Sequence, residues 1–391
     1  MVTARVLVLD HPDDRRDAAL RFRLDASNLR EATVLVADLA AEEASALRRR
    51  LAGAGVAAAT APAGAAVDLL VSGSAVDLVA GVAAAGAGAV AALVASALAR
   101  YASPPAMLVA RGSRLRVAGR PLIVGILNAT PDSFYDGGRH FGADRSVARA
   151  EEMLAEGADI IEVGGETARP SSPAISVEEE IGRVRPVIAA IRQRCDVPIG
   201  IDTYKPQVAR AALDAGASIV NDISGLADEQ IGIAAAAAGA ALVVTHIKGR
   251  PKVENERAQY DRVVDEVYAF LAQRVARAEA LGVARASLIV DPGLSFGKQA
   301  AHDVTVVRRL REFRGLGLPI YLAASRKNFI RDLMGLPFAE LLEGTMAVVA
   351  YGMLAGANLI RTHDVRAMRR LVTMLQAILG PTPPVVLEPP A

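Results

Sequence analysis

Two aspartates in this 391-residue sequence stand directly after apolar runs: Asp202 follows Ile199–Gly200–Ile201, and Asp291 follows Leu288–Ile289–Val290. Asn221 follows Ser218–Ile219–Val220 in the same manner, and Lys327 closes the tripeptide Ser325–Arg326–Lys327 after another apolar run. A carboxylate accepts paired N–H donors, an amide side chain offers donor and acceptor, and an ammonium meets a ring carbonyl or nitrogen. Together these four suit a planar heterocycle with amide-like and guanidine-like edges. A single buried aspartate is more often a structural hydrogen-bond partner; two of them with a lysine and an amide tip the balance toward binding. Arg361 and His363 suit an anion, and Arg169, between a Gly-Gly turn and Pro170, is a further cation on a loop.

Other chemistries lack their residues. His246, His302 and His363 are far apart and form no HxxxH or HExxH pattern. The one cysteine, Cys195, ends a helix-like run and reads as a buried thiol. It cannot form an internal disulfide, which suits a reducing, cytoplasmic setting. His246 reads equally as a core histidine or a ligand, and His302 as a surface residue starting a helix. Lys248, Arg250 and Lys252 read as a solvated basic loop rather than an anion site.

The elements that must position these residues are legible as an alternation. Short β-rich runs fall at Leu122–Leu127, Asp159–Val163, Pro198–Ile201, Ser218–Val220, Ala241–Val244, Ser287–Val290, Pro319–Leu322 and Asn358–Ile360. Helix-period stretches such as Ser146–Ala155, Val177–Arg194 and Gln259–Leu281 lie between them. Eight such strands over about 260 residues match a closed (β/α)8 TIM barrel. An open doubly wound sheet would carry a Gly-rich phosphate turn after its first strand, and none is there. Asn128, Glu162, Asp202, Asn221, His246, Asp291, Lys327, Arg361 and His363 all fall at or just after strand runs. In a barrel those ends converge on one mouth, so a single polar site is expected there.

The chain divides near residue 118. Residues 1–118 read as a smaller N-terminal α/β domain of unknown role, with strands at Arg5–Leu9, Val56–Thr60 and Asp68–Val71 and a helix at Ala40–Leu51. Met107–Ala110 and Arg114–Val117 flank a Gly-containing turn and read as a hairpin that plugs the barrel floor. Residues 119–380 form the barrel, and 381–391 a loose Pro-rich tail. The stretch Leu78–Leu98 carries no charge across 21 residues, but it is largely Ala and Gly and reads as a buried helix pair, not a membrane span. The start, with acids closing a short apolar run, is no secretory signal. Lys plus Arg number 44 against 43 Asp plus Glu, a net charge near +1, so no global field draws nucleic acid or an anionic membrane. Phe338–Leu354 with the last helix is a candidate homodimer surface.

At these residues the sequence resembles the dihydropteroate synthase family. The most specific element is Gly125–Ile126–Leu127–Asn128–Ala129–Thr130–Pro131–Asp132–Ser133–Phe134. Glu162–Val163–Gly164–Gly165–Glu166, Ile201–Asp202–Thr203, Asn221–Asp222–Ile223, Asp291–Pro292–Gly293, Phe296–Gly297–Lys298, Ser325–Arg326–Lys327 and Arg361–Thr362–His363–Asp364 follow in family order. The resemblance implies that Asp202, Asn221, Asp291 and Lys327 hold a pterin ring. It implies that Asn128 binds a Mg²⁺ bridging a leaving diphosphate, helped by Arg361 and His363, and that Arg169 meets the diphosphate or orders the second loop. Thr130, Pro131, Asp132, Ser133, Phe134, Pro170, Lys327 and Asn328 would form the 4-aminobenzoate pocket. The implied substrates are a dihydropterin methyl diphosphate and 4-aminobenzoate.

The chain departs from the family pattern at several points. Ala168 stands where the second loop usually has a hydroxyl residue, Glu162 where Asp is usual, Asn328 where Ser is usual, and Ser295 where Gly is usual. Thr245–His246–Ile247 replaces a Met-His-Met-like run. Two other readings therefore remain beside the transferase: a pterin-dependent methyltransferase, which needs no diphosphate site, and a non-catalytic pterin-binding homologue.

Overall fold

A computed structural model describes residues 2–24, 29, 32–53, 56–73, 75–84, 88–129, 139–167, 172–253 and 258–379. The chain forms two compact units, Met1–Pro104 with Arg309–Gly317, and Pro105–Arg308 with Leu318–Ala391.

The first unit contains β1 (Thr3–Val6), α1 (Pro12–Phe22), β2 (Ala32–Leu39), α2 (Ala41–Gly53), β3 (Ala57–Ala63), β4 (Ala66–Gly73), α3 (Ala75–Ala84) and α4 (Gly88–Ala102). Its strands form an antiparallel sheet in the order β1-β2-β4-β3. Alternation along β2 sends Val34 and Val36 into one core with Leu47, Leu78 and Val94, and Leu35 into another with Phe22 and Leu70. Both faces of β2 are thus buried, which explains a continuous apolar run in place of the alternation by which a strand is usually recognised. The α1 helix, likewise absent from the sequence reading, begins with Pro12 in its first turn and a His11 side chain that accepts from the Asp13 amide. The uncharged stretch Leu78–Leu98 is divided between α3 and α4, whose Leu78, Val82, Val90 and Val94 are buried at four-residue spacing. Among the described residues no helix is long and apolar enough to cross a membrane.

The second unit opens with the hairpin β5 (Met107–Ala110) and β6 (Ser113–Arg116), turned at Arg111 and Gly112, both with positive φ. Eight parallel strands follow: β7 (Leu122–Asn128), β8 (Ile160–Gly164), β9 (Ile199–Asp202), β10 (Ile219–Asp222), β11 (Ala241–Thr245), β12 (Leu288–Asp291), β13 (Tyr321–Leu322) and β14 (Leu359–Thr362). The helices between and after them are α5 (Arg139–Glu156), α6 (Val177–Arg194), α7 (Pro206–Asp214), α8 (Gln230–Ala238), α9 (Val263–Ala280), α10 (Ala300–Arg308), α11 (Asn328–Met334), α12 (Leu342–Leu354) and α13 (Val365–Leu379). Strand β7 pairs with both β8 and β14, while β12 and β13 meet through one bridge, Val290 to Ile320. The result is a nearly closed TIM-like barrel, as the alternation predicts.

Inward residues Leu122, Val124, Ile160, Ile219, Val243, Ile289 and Leu359 form one core with Leu108 and Ala110 of the hairpin, both fully buried. The hairpin therefore fills the floor. Arg111 fixes it there, donating to the carbonyls of Leu213 at 2.6 Å and Ala217 at 3.2 Å. With the floor apolar and filled, polar chemistry is left to the opposite, C-terminal ends of the strands.

Candidate active site

Strand register lines up three of the candidate positions with Gly164. Asn128 pairs with Gly164, Gly164 with Asp202, and Asp202 with Asn221, so the ends of β7, β8, β9 and β10 form one row. Gly164 is the open place in that row: a Cβ there would lie 3.8 Å from the Asp202 Cβ and 3.9 Å from the Asn128 side-chain oxygen. Asp291 ends β12 opposite Thr245 of β11, and Arg361 sits on β14.

Arg361 ties the row together. Its Nη2 donates to Asp202 at 2.6 Å and its Nε to Glu162. Burial pushes the Asp202 carboxyl up to about 7 in spite of Arg361 beside it. Asp291 is pushed up to about 6 by burial, although the Gly293 amide donates to it at 2.7 Å. Burial and the nearby Arg361 hold the Lys327 ammonium below its ordinary range, and its Nζ lies 4.2 Å from the centre of the Phe296 ring. These are two carboxyls poised near neutrality and two cations in one low-dielectric mouth.

Arg326 explains how Ser325 and Lys327 come to face the mouth. It adopts φ of 52°, in the left-handed region, and is held there by a bidentate pair with Asp364 at 3.0 and 2.7 Å. Arg326 thus orients the loop by pairing with an acid. Ser325 accepts from the His363 amide at 3.1 Å and lies 2.9 Å from His363 Nδ1. With the hydroxyl donating to Nδ1, the ring hydrogen lies on Nε2. Burial, with Arg361 nearby, pushes His363 down to about 4, so at neutral pH the ring is uncharged and has an N–H, not a positive charge, to offer.

His246 is a core residue. It is 4 % exposed, its ring meets Phe270 edge-on at 4.9 Å, and Lys298 Nζ approaches its Nδ1 at 2.8 Å. Lys298 also donates to the Gly293 carbonyl at 2.7 Å, so it braces the loop after β12 from within. His302 lies in α10 and accepts from the Gln299 amide at 3.2 Å.

A second polar cluster lies under the loop after β8. Lys205 pairs with Glu166 at 3.1 Å and Glu180 at 2.8 Å, while Thr203 donates to Glu180 at 2.8 Å. Lys252 belongs to this cluster, which corrects its reading as part of a solvated loop. Its side chain is only 9 % exposed, and its Nζ donates to the Thr167 carbonyl at 2.9 Å.

Thr130, Pro131, Asp132, Ser133, Phe134, Arg169 and Pro170, with Ala168, lie outside the described residues. Asn328 is exposed at the start of α11. The residues brought together are Asn128, Asp202, Asn221, Asp291, Lys327, Arg361 and His363. Sequence reasoning missed Tyr321, whose hydroxyl donates to Glu162 at 2.6 Å; its one signal was a phenol in an otherwise aliphatic strand. Among the described residues no group of three or more His, Cys, Asp or Glu could hold a metal ion. Asn128 does offer a neutral oxygen at the rim of the mouth, which suits a magnesium ion that keeps its waters and takes its other ligands from substrate phosphates.

Comparison with known proteins agrees with this geometry. The model of the pterin binding enzyme family matches residues 124–363, leaving Met1–Pro104 outside the match. Dihydropteroate synthase of Escherichia coli (strain K12) is 40 % identical over 273 residues, 70 % of this chain and 96 % of that protein. A protein of Mycobacterium leprae (strain TN) named inactive dihydropteroate synthase 2 is 40 % identical over 273 residues, 68 % of this chain and 94 % of its own length. The solved structure of Xanthomonas albilineans dihydropteroate synthase with 4-aminobenzoic acid matches at a TM-score of 0.66 and 37 % identity, covering 72 % of this chain and 100 % of that one. The chain belongs to the pterin-binding enzyme family, as a homologue of the dihydropteroate synthases.

Proposed function

We propose that the protein is a dihydropteroate synthase, joining (7,8-dihydropterin-6-yl)methyl diphosphate to 4-aminobenzoate and releasing pyrophosphate. The observation that carries this reading is the row Asn128–Gly164–Asp202–Asn221 with Arg361 bonded into it. Groups suited to a pterin edge and groups suited to a diphosphate lie within one substrate length of each other.

In this reading Asp202, Asn221 and Asp291 take the N–H and carbonyl edges of the pterin, and Lys327 a ring carbonyl or nitrogen. Arg361 and His363 donate to the diphosphate oxygens, where charge grows as the exocyclic C–O bond breaks. The neutral amine of 4-aminobenzoate attacks the methylene carbon, forms the C–N bond and then loses a proton. Thr130, Pro131, Asp132, Ser133, Phe134, Pro170, Lys327 and Asn328 would hold 4-aminobenzoate, with Arg169 on the diphosphate or ordering its loop. No nucleophilic side chain is needed, because positioning and electrostatics supply the rate. Asn128 would hold Mg²⁺ through its side-chain oxygen, and the bound ion would neutralise charge on the leaving diphosphate.

The test is pyrophosphate release by purified protein supplied with the pterin diphosphate, Mg²⁺ and 4-aminobenzoate, each omitted in turn. Amine-dependent release with dihydropteroate as product supports the synthase. The non-catalytic alternative has its own support in the relative named inactive and in Ala168. Tight pterin binding without release would favour it.

A further inference from the structure

We infer that Glu162, fixed by Tyr321, is a positioning residue that sets the pterin-holding amide of Asn221 in register with the diphosphate-holding guanidinium of Arg361. The inference rests on the function proposed above and adds two residues to it.

Glu162 points from β8 into the barrel one layer below the Asn128–Gly164–Asp202–Asn221 row, and it is 1 % exposed. Its two oxygens are divided between the two sides of the site. Oε2 accepts from Arg361 Nε, while Oε1 accepts from Tyr321 at 2.6 Å and from Asn221 Nδ2 at 3.3 Å. One carboxylate therefore touches both a residue assigned to the ring and a residue assigned to the leaving group. Asp202 also bonds Arg361, but its side chain is 16 % exposed against 2 % for Glu162. An entering ligand can compete for Asp202, whereas Glu162 stays with the guanidinium as its permanent counter-charge. A guanidinium buried without such a partner is costly.

Tyr321 gives Glu162 one geometry. The phenol is 1 % exposed, and burial together with Glu162 keeps it protonated, so it acts only as a donor to Oε1. Room for the long side chain comes from the next strand: a Cβ on Gly200 would lie 3.2 Å from Glu162 Cγ. The side-chain amide of Asn221 is fixed from its other end, accepting from Thr245 at 3.4 Å. Neither Glu162 nor Tyr321 need touch substrate. Each acts through Asn221 and Arg361, whose remaining N–H groups are aimed by these bonds.

The experiment compares equilibrium binding of the pterin diphosphate and of the pterin alcohol lacking diphosphate, together with melting temperature and steady-state kinetics. The proteins are wild type, Tyr321→Phe, Glu162→Gln and the double variant. Tyr321→Phe removes one hydroxyl at nearly constant volume, so it is expected to fold. It should weaken the alcohol about threefold and the diphosphate about thirtyfold, the scale of a lost hydrogen bond to a charged group. Its kcat should fall about tenfold, because Arg361 no longer meets the leaving group squarely. Because Tyr321 acts through Glu162, the double variant should bind no worse than Glu162→Gln alone. Wild-type affinities in both single variants would overturn the inference, as would losses that are equal for the two ligands or additive in the double variant. Wild-type protein that binds neither ligand would overturn the proposed function and this inference with it.

Discussion

Lys252 Nζ donates to the Thr167 carbonyl at 2.9 Å, pinning the loop after β11 onto the loop after β8 across 85 positions of sequence. Glu166, the neighbour of Thr167, lies 3.8 Å from the same ammonium and 3.1 Å from Lys205. Burial would raise the Glu166 carboxyl, but the Ile175 amide and Lys205 outweigh it and hold the carboxyl below its usual range. The segment leading into Arg169 and Pro170 thus starts from a fixed point. Lys252→Met keeps the stem and removes the donor. We expect KM for 4-aminobenzoate to rise about tenfold, the scale of a charge-assisted hydrogen bond, with pterin alcohol affinity unchanged. Unchanged KM for the amine would show that this latch does not reach the second substrate.

The two raised carboxyls give pterin binding a pH dependence. Asp202 is pushed up to about 7 and Asp291 to about 6, so both are partly protonated in the unliganded protein near pH 6. A pterin edge that presents paired N–H donors requires the carboxylates, so binding near that pH should release protons. Affinity should fall about a hundredfold from about pH 7.5 to about pH 5.5. Titration calorimetry at pH 6 in buffers of different ionisation enthalpy measures the release directly. The same shifts have a sign for stability. Both folded values lie above the unfolded value of 3.8, so between about pH 4 and 7 the folded state binds more protons. Stability from these two groups therefore declines as pH rises through that window, and Asp202→Asn should flatten the decline. A profile identical to wild type would mean that Asp202 is already ionised at pH 5.

How much of this was legible follows from where each partner sits in the chain. The eight barrel strands were readable because each is a short apolar run that ends in a polar residue, and α6 was read at its observed bounds, Val177–Arg194. β2 was not, since a strand buried on both faces loses its alternation. The strand-end residues Asn128, Asp202, Asn221, Asp291 and Arg361 could be placed on one mouth, because parallel strands all end on the same side. The residues behind them could not. Glu162 is 159 positions from Tyr321 and 199 from Arg361, and no local pattern links them. Lys252 looked like a solvated charge because its neighbours Lys248 and Arg250 are also basic. Only the fold brings a carbonyl 85 residues away to its ammonium.

Asn128 gives a prediction about the metal that needs no turnover. Its side-chain oxygen lies beside the Gly164 end of β8, at the rim where a diphosphate would leave. Removing Mg²⁺ with a chelator should weaken the pterin diphosphate by about tenfold or more and leave the pterin alcohol unaffected, because the diphosphate supplies most of the ligands. Asn128→Ala should lose the same margin and then respond little to the chelator. Equal chelator sensitivity in the variant and the wild type would move the ion to another residue.

Far from that mouth, Asp159 tests whether the N-terminal end of the barrel serves stability alone. Arg120 donates to both its oxygens at 2.7 Å, the Ile123 amide at 2.8 Å and Arg369 at 2.9 Å. Burial raises the carboxyl, but these donors win and hold it below the ordinary 3.8. The contribution to stability is therefore present above about pH 4 and lost as the pH falls through the depressed folded value. Asp159→Asn keeps one acceptor and leaves two guanidinium groups short of a counter-charge. Arg120 is 39 % exposed, so solvent screens part of the loss, and the cost should be about 2 kcal/mol. Urea unfolding monitored on the barrel should show an earlier midpoint at pH 7 and a smaller difference from wild type at pH 3. Hydrogen exchange at the Ile123 amide should quicken, since its acceptor is weakened. Catalysis at 25 °C should be unchanged, because among the described residues none at the mouth is a partner of Asp159. A loss of activity out of proportion to the loss of folded protein would mean that the two ends of the barrel are mechanically coupled.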